Sequence, residues 1–223
     1  MNTLDVVADI LKQNSEVKYF TFAKYPKQTL IQENESFGKK DLEFIDSALG
    51  LRKQYRIPFW DSLMLTLFDK KNVSKELLQR ALLHNKNDDK IFTDNIYEIL
   101  NLLECNQKDN LSLNSEVHFK NGSVLHLFLL DFHVYASDNN LVIISEILNV
   151  MDLHGYILSS GDSYHFISKS FYTLDCLLDL LAKSLLFSPI VDRAWVAHQI
   201  LERSCSVRVG LKHGIVPTVI KEL

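Results

Sequence analysis

The residues VHFKNGSVLHLFLLDFHVY, 117–135, read as two strands and a turn. At their centre is Asn121-Gly122, the dipeptide that most readily takes the positive φ values of a type I′ turn. VHFK (117–120) and SVLHLFLLDFHVY (123–135) flank it and are rich in Val, Leu and aromatic residues, which suit a pleated, half-buried surface. The pattern predicts a hairpin whose second arm is a central buried strand.

Downstream, Ser137 or Asp138 can cap a helix whose Leu141, Ile144, Ile147 and Leu148 share a face. That helix is expected to end near His154, with Gly155 as its left-handed C-terminal residue. GYILSS (155–160) and SYHFIS (163–168) follow as two short strands joined at Gly161-Asp162. Leu174, Leu177, Leu178, Leu181 and Leu185 then mark a helix over 173–186, and another covers 191–202. SVRVG (206–210), a Lys212-His213-Gly214 turn and IVPTVI (215–220) close the chain.

Upstream, residues 1–110 read as mostly helical apart from a strand at 17–22, and NQKDNLSLNS (106–115) is the candidate boundary. The helical repeats are Leu42/Ile45/Ala48/Leu49, Leu63/Leu67/Phe68, Leu77/Leu78/Ala81/Leu82 and Ile96/Ile99/Leu100/Leu103. The expected architecture is α+β. A mainly helical region, 1–112, packs on an RRM-like, ferredoxin-like sheet, 113–223, whose strand, helix, strand, strand, helix order is that of a split βαβ unit. In that arrangement the first and third strands are central, and one face of the sheet opens as a cleft against the N-terminal half.

Composition narrows the class of function. Hydrophobic residues are 47% of the 223 and charged residues 23%, which argues against disorder or a fibrous repeat. Twenty-four Lys and Arg stand against 28 Asp and Glu, a net charge of −4, so nucleic-acid binding would need a local basic patch. The N-terminal stretch has no basic n-region and carries Asp5 and Asp9, so no secretory signal is expected. No apolar run approaches the ~20 residues of a membrane span. Cys105, Cys176 and Cys205 are odd in number and lack a CxxC, which fits a reducing cytoplasm and three core thiols. No GxSxG, P-loop or HExxH is present.

Chemistry is expected where the pattern breaks. Asp131 interrupts the buried run VLHLFLL, and a buried carboxylate is costly unless a cation or hydrogen-bond donor meets it. His133 lies two residues on, hence on the same face, and with Asp131 suits a divalent metal. His165, in Ser160-Gly161-x-Ser163-x-His165, can reach that face from the neighbouring strand, whereas His118 and His126 read as structural. Asp192, Arg203, Arg208, Lys212 and His213 fall near the last strands. Acids that hold an ion opposite cations that hold phosphates are what a metal-bound triphosphate requires.

At these residues the chain resembles the archaeo-eukaryotic primase and primase-polymerase superfamily. Leu129-Leu130-Asp131-Phe132-His133 resembles its acidic strand motif, and Ser163-Tyr164-His165 its small-x-His motif. Val191-Asp192, followed by Ser206-Val207-Arg208-Val209 and Lys212-His213-Gly214, resembles its third motif. The resemblance spans about 124–217. It implies metal-dependent nucleotidyl transfer on a single-stranded or primer-template nucleic acid. Asp131, His133 and Asp192 would be catalytic and hold Mg²⁺ or Mn²⁺, while Ser163, His165, Arg208 and Lys212 would bind the nucleoside triphosphate. His133 stands where the family has a second acid, and imidazole in place of a hard oxygen donor favours softer ions. Two other readings share the fold: an inactive module that binds nucleotide or single strands, and an RRM-like protein-interaction scaffold. The basic-Gly-aromatic-Gly signature of RNA-recognition domains is absent.

Overall fold

The computed structural model describes residues 1–26, 38–68, 75–82, 89–95, 98, 99, 101, 109–211 and 214–223. Two compact units are present: Met1–Pro26 with Asn87–Leu223, and Lys27–Lys86. The units divide at 26/27 and 86/87, and residues 112 and 113 both fall in the larger one.

The larger unit contains α1 (Thr3–Gln13) and eight strands: β1 (Val17–Pro26), β2 (Asp89–Thr93), β3 (Asp109–Phe119), β4 (Val124–Asp131), β5 (Gly155–Ser159), β6 (Tyr164–Tyr172), β7 (Ser206–Arg208) and β8 (Thr218–Glu222). The sheet order is β2-β1-β3-β4-β6-β5-β8, with every pairing antiparallel and β7 paired to β3. The smaller unit holds α2 (Lys39–Tyr55), α3 (Phe59–Leu67) and α4 (Lys75–Leu82) around Ile45, Ala48, Leu63 and Leu77. Three further helices follow β4 and β6: α5 (Asp138–Val150), α6 (Leu174–Ser184) and α7 (Arg193–Glu202).

The α+β class and the split βαβ order are as the sequence predicts. The hairpin forms at Asn121-Gly122, but not as a type I′ turn: Gly122 takes φ 85° while Asn121 does not take a positive φ, and Gly122 N donates to Phe119 O at 3.0 Å. The β4-β6-β5 order makes the first and third strands of the unit neighbours. Ser137 caps α5, its hydroxyl accepting from Asn140 N.

Four expectations need correction. β3 begins at Asp109, so most of the stretch assigned as a boundary is strand; Leu111 and Leu113 are buried, and Asn114 and Ser115 make sheet-crossing hydrogen bonds. Gly155 is needed for close approach rather than for a left-handed cap: a Cβ there would lie 2.2 Å from the Ile167 carbonyl oxygen, and Asp152 takes the positive φ instead. Cys205 is buried but Cys176 is exposed, and Cys105 lies outside the described residues. Finally, five consecutive residues of β4 are buried, 126–130, as are 155–158 on β5 and 164–168 on β6. A strand buried at both parities is covered on both faces. One core joins these strands to Leu4, Val7 and Ile10 of α1, Ile144 and Leu148 of α5, and Leu177 and Leu181 of α6. The centre of the sheet therefore has no open face, and an accessible site must lie at the strand ends.

The register between β4 and β6 shifts on the way to that end. Leu127 faces Phe171 but Leu129 faces Ile167, and the Phe128 N–H is satisfied by Ser168 Oγ at 2.8 Å. Such a bulge changes every pairing beyond it. Had the first register continued, Asp131 would face Ile167; with the shift it faces His165.

Among the described residues, no helix is long and apolar enough to cross a membrane.

Candidate functional site

Asp131 is the last residue of β4. Its carboxylate is 37% exposed, so it is not the stranded buried charge that the apolar run suggests. Its oxygen Oδ1 lies 3.5 Å from Nε2 of His165, its register partner, whose side chain is only 7% exposed.

Beyond Asp131 the chain leaves the sheet between two supports. Phe132 N donates to Tyr164 O at 3.0 Å, and His133 N donates to Ile190 O at 2.7 Å. Phe132 also bridges antiparallel to Val191. In antiparallel pairing the residue after one partner lies across from the residue before the other, so Asp192 follows Val191 to the position opposite Asp131. His133 Nδ1 is 4.0 Å from Asp192 Oδ2, and the other carboxylate oxygen, Oδ1, caps α7 by accepting from Trp195 N at 3.0 Å. The end of β4 thus carries two histidine–carboxylate pairs, Asp131 with His165 and His133 with Asp192.

Of the other residues expected at the phosphates, Ser163 and Arg208 hydrogen-bond to backbone. Ser163 Oγ donates to Phe132 O and accepts from Val134 N at 3.3 Å, so it holds the backbone on either side of His133. The Arg208 guanidinium donates to three backbone carbonyls: Gly210, Ile215 (3.1 Å) and Ser160 (2.7 Å). It ties the turn after β5 to the segment before β8. Lys212 and His213 lie outside the described residues. Arg203 ends α7 in the left-handed region.

Tyr164 is the middle residue of the Ser163-Tyr164-His165 motif, and the sequence pattern alone gives it no role. Its hydroxyl accepts from Ser137 N at 2.6 Å and donates to Ser137 O at 2.8 Å, fixing the start of α5 to β6. The available signal was its position between Ser163 and His165, on the strand's opposite parity, where a buried tyrosine needs a partner for its hydroxyl.

His126 and His118 pair with other groups, on β3 and β2. His126 Nδ1 is 3.1 Å from Ser115 Oγ inside the sheet, and burial pushes its pKa below the usual histidine value. His118 packs edge-on against Phe92.

Asp192 is engaged by the helix cap and by His133, and Asp131 by His165. Among the described residues no three His, Cys, Asp or Glu side chains are grouped so as to hold an ion.

The family model for archaeo-eukaryotic primase 1D-like (AEP-like) proteins matches residues 92–220. The chain belongs to this primase-like family. The match takes in more than half of the chain and every motif just described, from β2 to β8. No curated protein and no solved structure gives a significant match. In this primase-like domain the acid of the first motif and the histidine of the second are cross-strand partners, and the third-motif acid reaches the same strand end through the Phe132–Val191 bridge.

Proposed function

We propose that this primase-like domain binds a nucleoside triphosphate at the end of β4, beside a single-stranded or primer-template nucleic acid, with Asp131, His133, His165 and Asp192 around the phosphates. The observation that carries this reading is the register partnership of Asp131 and His165, 3.5 Å apart, on a chain of the primase-like family. Two carboxylates repel a triphosphate, so the bound anion needs either protonated imidazoles or a divalent cation between acid and phosphate. Both histidines are in place to supply the first. Ser163 and Arg208 enter the reading as residues that hold the surrounding backbone, and Lys212 as the phosphate contact implied by the family motif.

Metal-dependent nucleotidyl transfer with Mg²⁺ or Mn²⁺ is the second reading, favoured by the register that sets Asp192 across from Asp131. It requires Asp131 to join His133 and Asp192, which already lie 4.0 Å apart, around one ion. With His133 in place of a second motif acid, such a site would favour Mn²⁺ over Mg²⁺.

Calorimetric titration of ATP tests the first reading. His165→Ala should weaken binding by about 10-fold or more, the contribution of a hydrogen bond to a charged group. Template-directed incorporation of labelled nucleotide, in Mg²⁺ and in Mn²⁺, tests the second, and Asp131→Asn should abolish it. An unaltered ATP affinity in His165→Ala would overturn the site. No ATP binding by the wild-type chain would leave the protein-interaction scaffold as the function of this fold.

A further inference from the structure

The turn at 160–163, between β5 and β6, lies at the same end of the sheet as Asp131 and His165, because Leu158 and Asp131 are both register partners of His165. Two separate segments are fastened to this turn, and each presents exposed apolar surface beside it.

The first segment is the one that leaves β4. Val134 N donates to Ser163 Oγ at 3.3 Å and Ala136 N to Asp162 O at 3.1 Å, while Asn140 Nδ2 donates to Tyr135 O at 2.8 Å. Tyr135 is therefore gripped on both sides and at its own carbonyl, yet the residue is 51% exposed. The second segment precedes β8. Arg208 donates to both Ser160 O and Ile215 O, and the Ile215 side chain lies over Gly161, its Cδ1 3.2 Å from where a Cβ would stand. Gly161 has φ 105°, so glycine is needed here for backbone conformation and for the room that Ile215 occupies. Ile215 and its neighbour Val216 are 45% and 36% exposed.

An aromatic ring and a branched aliphatic side chain are thus held on rigid backbone at the rim of a site that gathers acids and histidines. The entropy of ordering these segments is already spent on backbone hydrogen bonds, so a flat apolar ligand that covers the rim gains the burial at little further cost. Tyr135 is two residues from His133, at most about 7 Å of extended chain. That is the scale on which a ribose separates a base from its phosphates.

Resting on the nucleotide reading above, we propose that Tyr135 and Ile215 form a nucleobase-binding rim, which contacts the base of the nucleotide whose phosphates lie at Asp131, His133, His165 and Asp192. A π-face stacks on tyrosine whatever the base, so the rim would favour nucleotides over bare polyphosphate with little preference among bases.

The test titrates the 223-residue chain with two probes, ATP and inorganic tripolyphosphate. Wild-type protein should bind ATP more tightly than tripolyphosphate. Tyr135→Ala should weaken ATP binding by roughly 10-fold, the scale of one stacking contact, and leave tripolyphosphate binding unchanged. Tyr135→Phe, which keeps the ring, should restore ATP binding, and Ile215→Ala should weaken ATP alone by a smaller factor. Thermal melts of the variants should match the wild type, since both side chains are exposed. Equal losses for the two probes, or no loss of ATP binding in Tyr135→Ala and Ile215→Ala, would overturn the rim. Wild-type binding of tripolyphosphate with no advantage for ATP would overturn the rim and leave the phosphate site standing. Binding of neither probe would overturn both.

Discussion

His126 and His165 sit in neighbouring strands and are buried to nearly the same degree, 5% and 6% exposed. Their surroundings differ. His126 lies within the sheet, bonded to a neutral hydroxyl, Ser115 Oγ, which also accepts from Cys205 N at 3.0 Å. His165 lies where β4 ends and faces a carboxylate that is open to solvent. Burial therefore does not separate the two histidines. What distinguishes His165 is an ionisable partner at a strand end.

The hardest test of this contrast is Ser115→Ala. It leaves the Cys205 N–H and the His126 ring nitrogen without their shared partner inside the core, and it should cost about 2–4 kcal/mol of folding stability. Urea denaturation reads this directly. A loss under about 1 kcal/mol would show that His126 is no better integrated than His165.

A smaller effect concerns pH. Desolvation lowers the His126 pKa; Glu116 opposes this, while Lys90 and His118 add to it. Below the usual imidazole value of 6.5, the unfolded chain takes up a proton that the folded chain resists. Stability then falls as pH drops beneath 6.5, by at most about 1.4 kcal/mol per unit, and is unaffected by this group above it. His126→Asn should flatten the difference in urea midpoint between pH 7.5 and pH 5.5. An equally steep loss in that variant would assign the pH dependence to other groups.

The smallest effect belongs to the other end of the contrast. Asp131→Asn should change folding stability by less than about 0.5 kcal/mol, because its carboxylate is more than a third exposed and screened by solvent. A shift above about 1 kcal/mol would make Asp131 a structural residue and erase the distinction between the two histidines.

Much of the fold was legible because it is written in local signals. The Asn121-Gly122 turn, the Ser137 cap and the leucine spacing of α6 each act within a few residues and need no distant partner. The errors arose where a distant partner decides. The residues 109–115 look like a polar linker, yet Asn114 is held by Ser204 and Ser206, some ninety positions away. Gly155 looks like a helix stop, yet it is required by the backbone of Ile167 in the adjacent strand.

The candidate site divides in the same way. The sequence by itself singled out Asp131, His133, His165 and Asp192 as candidates, and its parity puts Asp131 and His133 on one side of their strand. Only the tertiary structure decided how they pair. The bulge at Phe128, closed by Ser168 Oγ, moves Asp131 from Ile167 to His165. The Phe132–Val191 bridge brings Asp192 to the same strand end, and Arg208, which the family resemblance assigns to a triphosphate, donates to three carbonyls. The physical reason is that side-chain alternation is a property of one strand, whereas register and hydrogen-bond partners belong to pairs of segments far apart in the chain.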